Sequence, residues 1–264
     1  MTVSDKLMER YGKPHLSYSS IKKALGDIQE FDMYMKGELK YTSDALRFGN
    51  LYDDMLFCTE EEFNERYACI DEDAILAQLS TDALSKKNPR MTSEYKKILE
   101  EMSNSVSGQI VSTDDLNKAK AMINRLDRSG VRQQYLSGDF QVEFNTEIPD
   151  SDGNPVLVKG FLDCLGDGFI TDSKTTVSIS KFRYSVRDYG YDIQAYIYTE
   201  VFDMEDFYWV AQEKKEPYLP AVIKCSESSL FAGQMKFFDA VEKINKFLDD
   251  EDGTSEKYYE IFEI

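Results

Sequence analysis

The stretch from Lys159 to Thr176 constrains this chain more than any other segment. Two apolar runs, Val156 to Leu165 and Phe169 to Ser173, flank the turn Gly166-Asp167-Gly168, which predicts an antiparallel hairpin. Asp163 stands near the end of the first run, and Asp172-Ser173-Lys174 closes the second. Side chains alternate along a strand, so Asp172 and Lys174 share one face and Ser173 takes the other. The turn folds Asp163 back beside them. Two carboxylates and an amine at one spot suit a divalent cation with a lysine at its edge, and that set suits hydrolysis of a phosphodiester. The competing reading is a plain hairpin, with acids flanking a turn and an exposed lysine.

Charge pulls the other way. The 264 residues carry a formal net charge of −18, which taken alone argues against a nucleic-acid partner. The excess acid lies in Glu60-Glu61-Glu62, Asp71-Glu72-Asp73 and Asp249-Asp250-Glu251-Asp252, which read as solvated faces and a frayed tail. Between Pro155 and Gly190, Lys159, Lys174, Lys181, Arg183 and Arg187 offset Asp163, Asp167, Asp172 and Asp188, and a bound cation would turn that segment positive. With 42% hydrophobic and 13% aromatic residues the chain is expected to be globular. No apolar run reaches membrane-spanning length and the first residues lack a signal-peptide core, so the expectation is a cytoplasmic protein. Cys58, Cys69, Cys164 and Cys225 form no C-x-x-C pair, which fits free thiols and argues against a zinc ribbon or an iron–sulfur cluster.

The first half reads as helical. Ser17 or Ser19 caps a helix through Ile21 to Leu25, Ile28 to Met35 continues the spacing, and a longer helix runs from about Ser43 to Phe57 with Leu46, Leu51, Met55 and Leu56 buried. Ser93, and Ser112 or Thr113, cap two more helices, while Ser80 to Met91 reads as an exposed, mobile loop. After Gly138 the grammar changes to strands at Phe140–Ile148, Val156–Leu165 and Phe169–Ser173, a helix at Tyr189–Phe202, and strands at Phe207–Gln212 and Tyr218–Lys224. Ser226 caps a last helix with Phe231, Met235, Phe238, Val241, Ile244 and Leu248 on its apolar side. The order predicts an α/β (α+β) fold, a mixed central sheet flanked by helices, in one domain over 1–264. A helical part spans 1–138, and a sheet core with a final helix spans 139–264.

Other residues can join the acid pair and the lysine. Gly49 and Asp53 lie one helical turn apart, so the glycine would let the helix approach the sheet and bring Asp53 to the metal; the bland alternative is a surface acid. Glu143 precedes the hairpin on its own strand, with Glu147 the alternative at even spacing; a solvent-facing carboxylate is the competing reading for both and the preferred one for Glu147. Gln194 and Tyr198, one turn apart, can donate to phosphate oxygens or brace the site, against plain packing of one of 17 tyrosines. Lys181, Arg183 and Arg187 can track a DNA backbone or form a solvated helix face. His15, the only histidine, is given no catalytic role, and no glycine-rich phosphate loop is present.

In order, these pieces resemble the PD-(D/E)XK nuclease superfamily, and within it the RecE-like exonucleases of phages and prophages. The matching segments are Leu16-Ser17-Tyr18-Ser19-Ser20-Ile21, Phe48-Gly49-Asn50-Leu51-Tyr52-Asp53, Glu143, Gly160-Phe161-Leu162-Asp163, Thr171-Asp172-Ser173-Lys174-Thr175-Thr176, Gln194-x-x-x-Tyr198, and Val210-Ala211-Gln212-Glu213-Lys214 before Pro217-Tyr218. The resemblance implies a restriction-endonuclease-like core and a Mg2+- or Mn2+-dependent exonuclease. Such an enzyme resects linear duplex DNA from its 5′ ends, works with a single-strand annealing protein, and forms a homo-oligomeric ring. It implies further that Asp163 and Asp172 hold the metal with Asp53, that Ser173 lends its carbonyl, and that Lys174 is the catalytic lysine. Glu143 assists, and Gln194 with Tyr198 supports the site. The family's helix usually presents histidine where this chain has Asp53, which adds negative charge where a phosphate must approach. That departure, with the −18 charge, motivates two rivals: a nuclease fold that holds DNA ends without cutting, and an acidic mimic of DNA.

Overall fold

The computed structural model describes residues 1–39, 43–70, 72–104 and 108–250. Part of the acidic runs, Asp71 and Glu251-Asp252, lies outside the described residues. In chain order the helices are α1 (Val3–Tyr11), α2 (Tyr18–Gly26), α3 (Ile28–Lys36), α4 (Asp44–Phe57), α5 (Glu60–Arg66), α6 (Glu72–Leu76), α7 (Thr81–Leu84), α8 (Ser93–Asn104), α9 (Thr113–Ser129), α10 (Val131–Tyr135), α11 (Phe182–Tyr189), α12 (Tyr191–Phe202) and α13 (Glu227–Asp249). The strands are β1 (Tyr67–Ile70), β2 (Gln109–Ser112), β3 (Asp139–Pro149), β4 (Pro155–Leu165), β5 (Phe169–Thr176), β6 (Asp206–Glu213) and β7 (Pro220–Lys224). The chain divides into two compact units, residues 1–42 with 129–264, and residues 43–128.

The first unit is built on a mixed sheet in the order β3-β4-β5-β6-β7, antiparallel except for the parallel β5–β6 pair. Strands expected from alternation are all present, with β5 extended to Thr176. The predicted helix Tyr189–Phe202 is present as α12, starting two residues later because Gly190, whose φ of +72° suits glycine, separates it from α11. Helices α2, α12 and α13 cover one face of the sheet around a core that includes Phe207, Trp209, Phe237 and Phe247. Full burial of each such side chain contributes about 1.5–3 kcal/mol. Ser17, not Ser19, caps α2, with its side chain accepting from Ser20 N in a capping box.

Helix α13 buries Val241 and Ile244 as expected but corrects the start of the apolar stripe. Phe231 and Met235 are exposed, and the buried line is Gly233, Phe237, Ala240, Val241, Ile244 and Phe247. Both stripes are apolar, so periodicity alone did not choose between them. Gly233 chooses: a Cβ there would stand 2.1 Å from the Asp192 carbonyl oxygen, so α13 turns its glycine toward α12.

The second unit holds α4 to α9 around a two-stranded parallel sheet, β1-β2, which helical spacing in this half had hidden. Helix α4 runs where expected, capped by Ser43, but it buries Phe48, Leu51, Tyr52 and Leu56 while Leu46 is exposed. The cap of α8 is Thr92 rather than Ser93, since Thr92 Oγ1 accepts from Tyr95 N at 3.2 Å. Ser112 Oγ accepts from Asp115 N at 3.0 Å and caps α9. The stretch Ser80 to Met91, expected as a loop, contains α7, capped by Ser80, and a 3-10 turn at Pro89–Met91. Glu62 in the first turn of α5 closes a capping box with Thr59, so part of the acidic run is used at a helix N-terminus.

Candidate active site

The site of interest is set by a place where two strands part. The β4–β5 ladder pairs Leu165 with Ile170 and Cys164 with Thr171, and ends there, immediately before Asp172. Beyond that point β4 takes a different neighbour: Leu16 N donates to Leu157 O and Lys159 N to Leu16 O, each at 2.9 Å. The opening leaves the Ser173 backbone N–H without a β4 carbonyl, and Asp163 Oδ2 accepts it instead at 2.8 Å. That bond places the Asp163 carboxylate beside the Asp172-Ser173-Lys174 triplet.

A kink in the neighbouring strand helps Asp163 to reach it. The β3–β4 ladder runs from Asp139–Leu165 to Pro149–Pro155 and is interrupted only where Gln141 would pair with Asp163. Gln141 has φ +51°, a left-handed conformation that costs a non-glycine residue about 1–3 kcal/mol and is held at functional sites. Its side chain lies toward Asp163 and helps to draw that carboxyl's pKa down. Sequence reading missed Gln141, since nothing in Phe140 to Ile148 departs from strand grammar.

Asp172 and Lys174 lie on one face of β5, as alternation requires, and Lys174 Nζ pairs with Asp172 Oδ2. Asp172 is 1% exposed, and no donor reaches hydrogen-bonding geometry with its Oδ1. Burial raises the Asp172 pKa, Lys174 opposes that and Asp163 adds to it, so the carboxyl is pushed up to about 7. Burial also raises Asp163, against the pull of Lys174, the Ser173 N–H and Gln141. Burial alone would lower Lys174, but the charge of Asp172, then those of Asp163 and Tyr191, outweigh it and hold the ammonium above its ordinary range. The ammonium also stands 5.0 Å from the centroid of the Tyr191 ring.

Helix α12 supplies the brace. Tyr198 donates to the Phe161 carbonyl at 2.8 Å, two residues before Asp163, and receives a bond from Gln194 Nε2 at 3.1 Å. Both residues are buried; the Gln194 amide lies toward Asp172 outside good hydrogen-bond geometry, and its Oε1 has no hydrogen-bond partner. Phe144 packs its ring edge-on against Tyr198 at 5.4 Å and lies over Gly160, where a Cβ would meet the ring at 2.7 Å. Tyr18 also belongs here: its hydroxyl donates to the Tyr189 carbonyl, and burial raises its pKa while Lys174 opposes.

The remaining predicted residues are placed as follows. Ser173 is buried and contributes its N–H to Asp163. Glu143 is exposed on β3, opposite Phe161. Lys181, Arg183 and Arg187 are exposed on and just before α11. Asp53 lies on α4 in the second unit.

Two carboxylates and an unpartnered buried oxygen form a donor set that a hard cation favours. Among the described residues no group of three or more His, Cys, Asp or Glu that could hold a metal ion is found. Mg2+ accepts one or two carboxylates and keeps several waters, and Asp172 Oδ1, an acceptor left short at a cost of about 1–3 kcal/mol, is a waiting ligand atom. The residues fit a divalent cation.

Comparison with known proteins identifies the family and the fold. Residues 17–257 match a family described as a PDDEXK-like domain of unknown function, DUF3799. A solved structure provisionally named an exonuclease, from Eubacterium rectale, superposes with a TM-score of 0.59 at 18% identity, covering 92% of this chain and 84% of its own. A phage-related exonuclease from Haemophilus somnus 129PT gives a TM-score of 0.33 at 12% identity, over 69% of this chain and 96% of its own. An alkaline exonuclease from Laribacter hongkongensis gives 0.28 at 11%, over 72% and 95%. The fold likeness rests on the first of these. No curated protein matches the chain. Among the described residues no helix is long and apolar enough to cross a membrane.

Proposed function

The chain belongs to the PDDEXK-like DUF3799 family, and from that premise we propose that it is a Mg2+- or Mn2+-dependent exonuclease acting on the ends of linear double-stranded DNA. The observation that carries the reading is the convergence of Asp163, Asp172 and Lys174 where β4 and β5 separate, with Asp172 Oδ1 lacking a donor. Asp163, Asp172 and the Ser173 carbonyl would hold the cation, which when bound supplies Lewis acidity and lowers the pKa of a coordinated water.

The chain's own residues do the rest. Lys174 presents an ammonium to the negative charge that develops on the phosphate and to the attacking water. The Ser173 N–H fixes the direction of the Asp163 carboxylate, with the Gln141 side chain beside it. Gln194 and Tyr198 hold β4 in register behind it; Tyr198, 5% exposed, is a brace rather than a phosphate ligand. Resection from the 5′ end, a ring of several copies and a strand-annealing partner complete the proposal, carried by the sequence resemblance. The test is digestion of linear duplex DNA with Mn2+ present. Wild type should shorten the duplex progressively, and Lys174→Ala should be slower by about 10²–10³-fold. Equal rates for the two proteins, or no cleavage by either, would overturn the reading.

A further inference from the structure

We propose that α11 and its flanks form a stacking platform for single-stranded DNA that leads to the site described above. Helix α11 buries Phe182 and Val186 and turns its other face outward. Tyr184 on that face is 46% exposed, and Tyr189, at the C-terminal end of the helix, is 52% exposed. Each ring carries a cation. Arg183 lies 4.9 Å and Arg187 6.0 Å from the Tyr184 centroid, and Lys22 lies 5.4 Å from that of Tyr189. From Tyr189 a line runs inward, since the Tyr189 and Tyr191 centroids are 5.7 Å apart and Lys174 stands over Tyr191. Tyr189, Tyr191 and the catalytic lysine therefore form one track, and Tyr184 with its arginines stands elsewhere on the same helix.

The chemistry of the track selects its occupant. In a duplex the base faces are covered by neighbouring pairs, so an exposed tyrosine ring can stack only on an unpaired base. Arginines beside the rings can meet the phosphates between stacked bases. Arg187 is partly offset by Asp188, whose Oδ1 it binds at 2.9 Å. A chain of net charge −18 gains little from broad counterion release, so stacking has to carry much of the affinity. Binding should then depend less on salt than is usual for a duplex-binding protein. The occupant is a short single strand, the frayed or resected end of a substrate. Its place in the reaction rests on the nuclease reading, but its binding does not.

Fluorescence anisotropy with oligothymidine of about 16 nucleotides, in EDTA so that nothing is cut, tests this directly. The full chain should bind it. Tyr184→Ala and Tyr189→Ala should each weaken binding by about fivefold or more. Tyr184→Phe, which keeps the ring, should bind as wild type, and an abasic strand of equal length should bind as weakly as the alanine variants. Unchanged thermal midpoints would show that the exposed substitutions leave the fold intact. No binding by wild type, or equal binding by the alanine variants and of the abasic strand, would overturn the platform. The two readings separate by condition: the oligonucleotide should bind in EDTA whether or not the wild type cuts linear duplex DNA with Mn2+.

Discussion

Asp32 and Asp172 are two aspartates of the same unit with 0% and 1% of their surface exposed, and their surroundings differ sharply. Asp32, on α3, accepts from the Tyr11 hydroxyl at 2.7 Å and from Lys36 Nζ at 2.7 Å, with Arg10 Nε 4.0 Å away. Its charge ties α1 to α3. Asp172 has Lys174 on one oxygen and no donor in hydrogen-bonding geometry on the other, and Asp163 adds a second negative charge nearby. Burial of an acid is therefore not in itself a mark of function. What marks Asp172 is the shortfall of donors, an unmet demand that a ligand can satisfy.

That contrast can be broken or sharpened by experiment. Asp172→Asn should lower Mn2+-dependent cleavage by about 10²–10³-fold, while Asp32→Asn should leave the rate of the folded protein unchanged. Comparable losses in both would erase the distinction. Stability should show the reverse. Asp32→Ala leaves Lys36 and Arg10 without their buried partner, and urea unfolding should report a loss of about 3 kcal/mol, the lower end for such pairs because Lys36 is partly exposed. Asp172→Asn in EDTA should cost less than this.

The pH dependence separates the two proteins further. The Asp172 carboxyl is raised from the ordinary value near 4 to about 7, so the folded chain keeps a proton that the unfolded chain releases. Between those pH values the unfolded state binds fewer protons, and this group's contribution to stability falls as pH rises, with no further change above about 7. In EDTA the wild type should thus lose stability relative to Asp172→Asn across that window, and a flat difference would contradict the assignment. The smallest effect belongs to the brace. Tyr198→Phe leaves the Phe161 carbonyl without its donor and should cost about 1–1.5 kcal/mol, with a smaller loss of rate than Lys174→Ala.

Alternation along β5 made Asp172 and Lys174 legible in the sequence, because a period of two leaves no choice of face once the strand is recognised. Gln194 and Tyr198 were legible as an i, i+4 pair. Gln141 was not, since its role comes from a kink that depends on where β4 leaves β5. Tyr191 and Tyr18 were equally hidden among many tyrosines, and only the folded chain sets one ring beside Lys174 and the other behind Tyr189. In α13 two apolar stripes competed, and a glycine contact with α12 decided between them. Strands β1 and β2, four residues each, are too short for alternation to stand out against helical neighbours.

The central claim is that the oxygens gathered by Asp163 and Asp172 grip a divalent cation. Anomalous diffraction from a crystal soaked in Mn2+ tests it most directly. The account predicts a manganese peak touching both carboxylates, lost in Asp172→Asn. A crystal at saturating Mn2+ with no peak there, or with the two carboxylates turned away from each other, would contradict it.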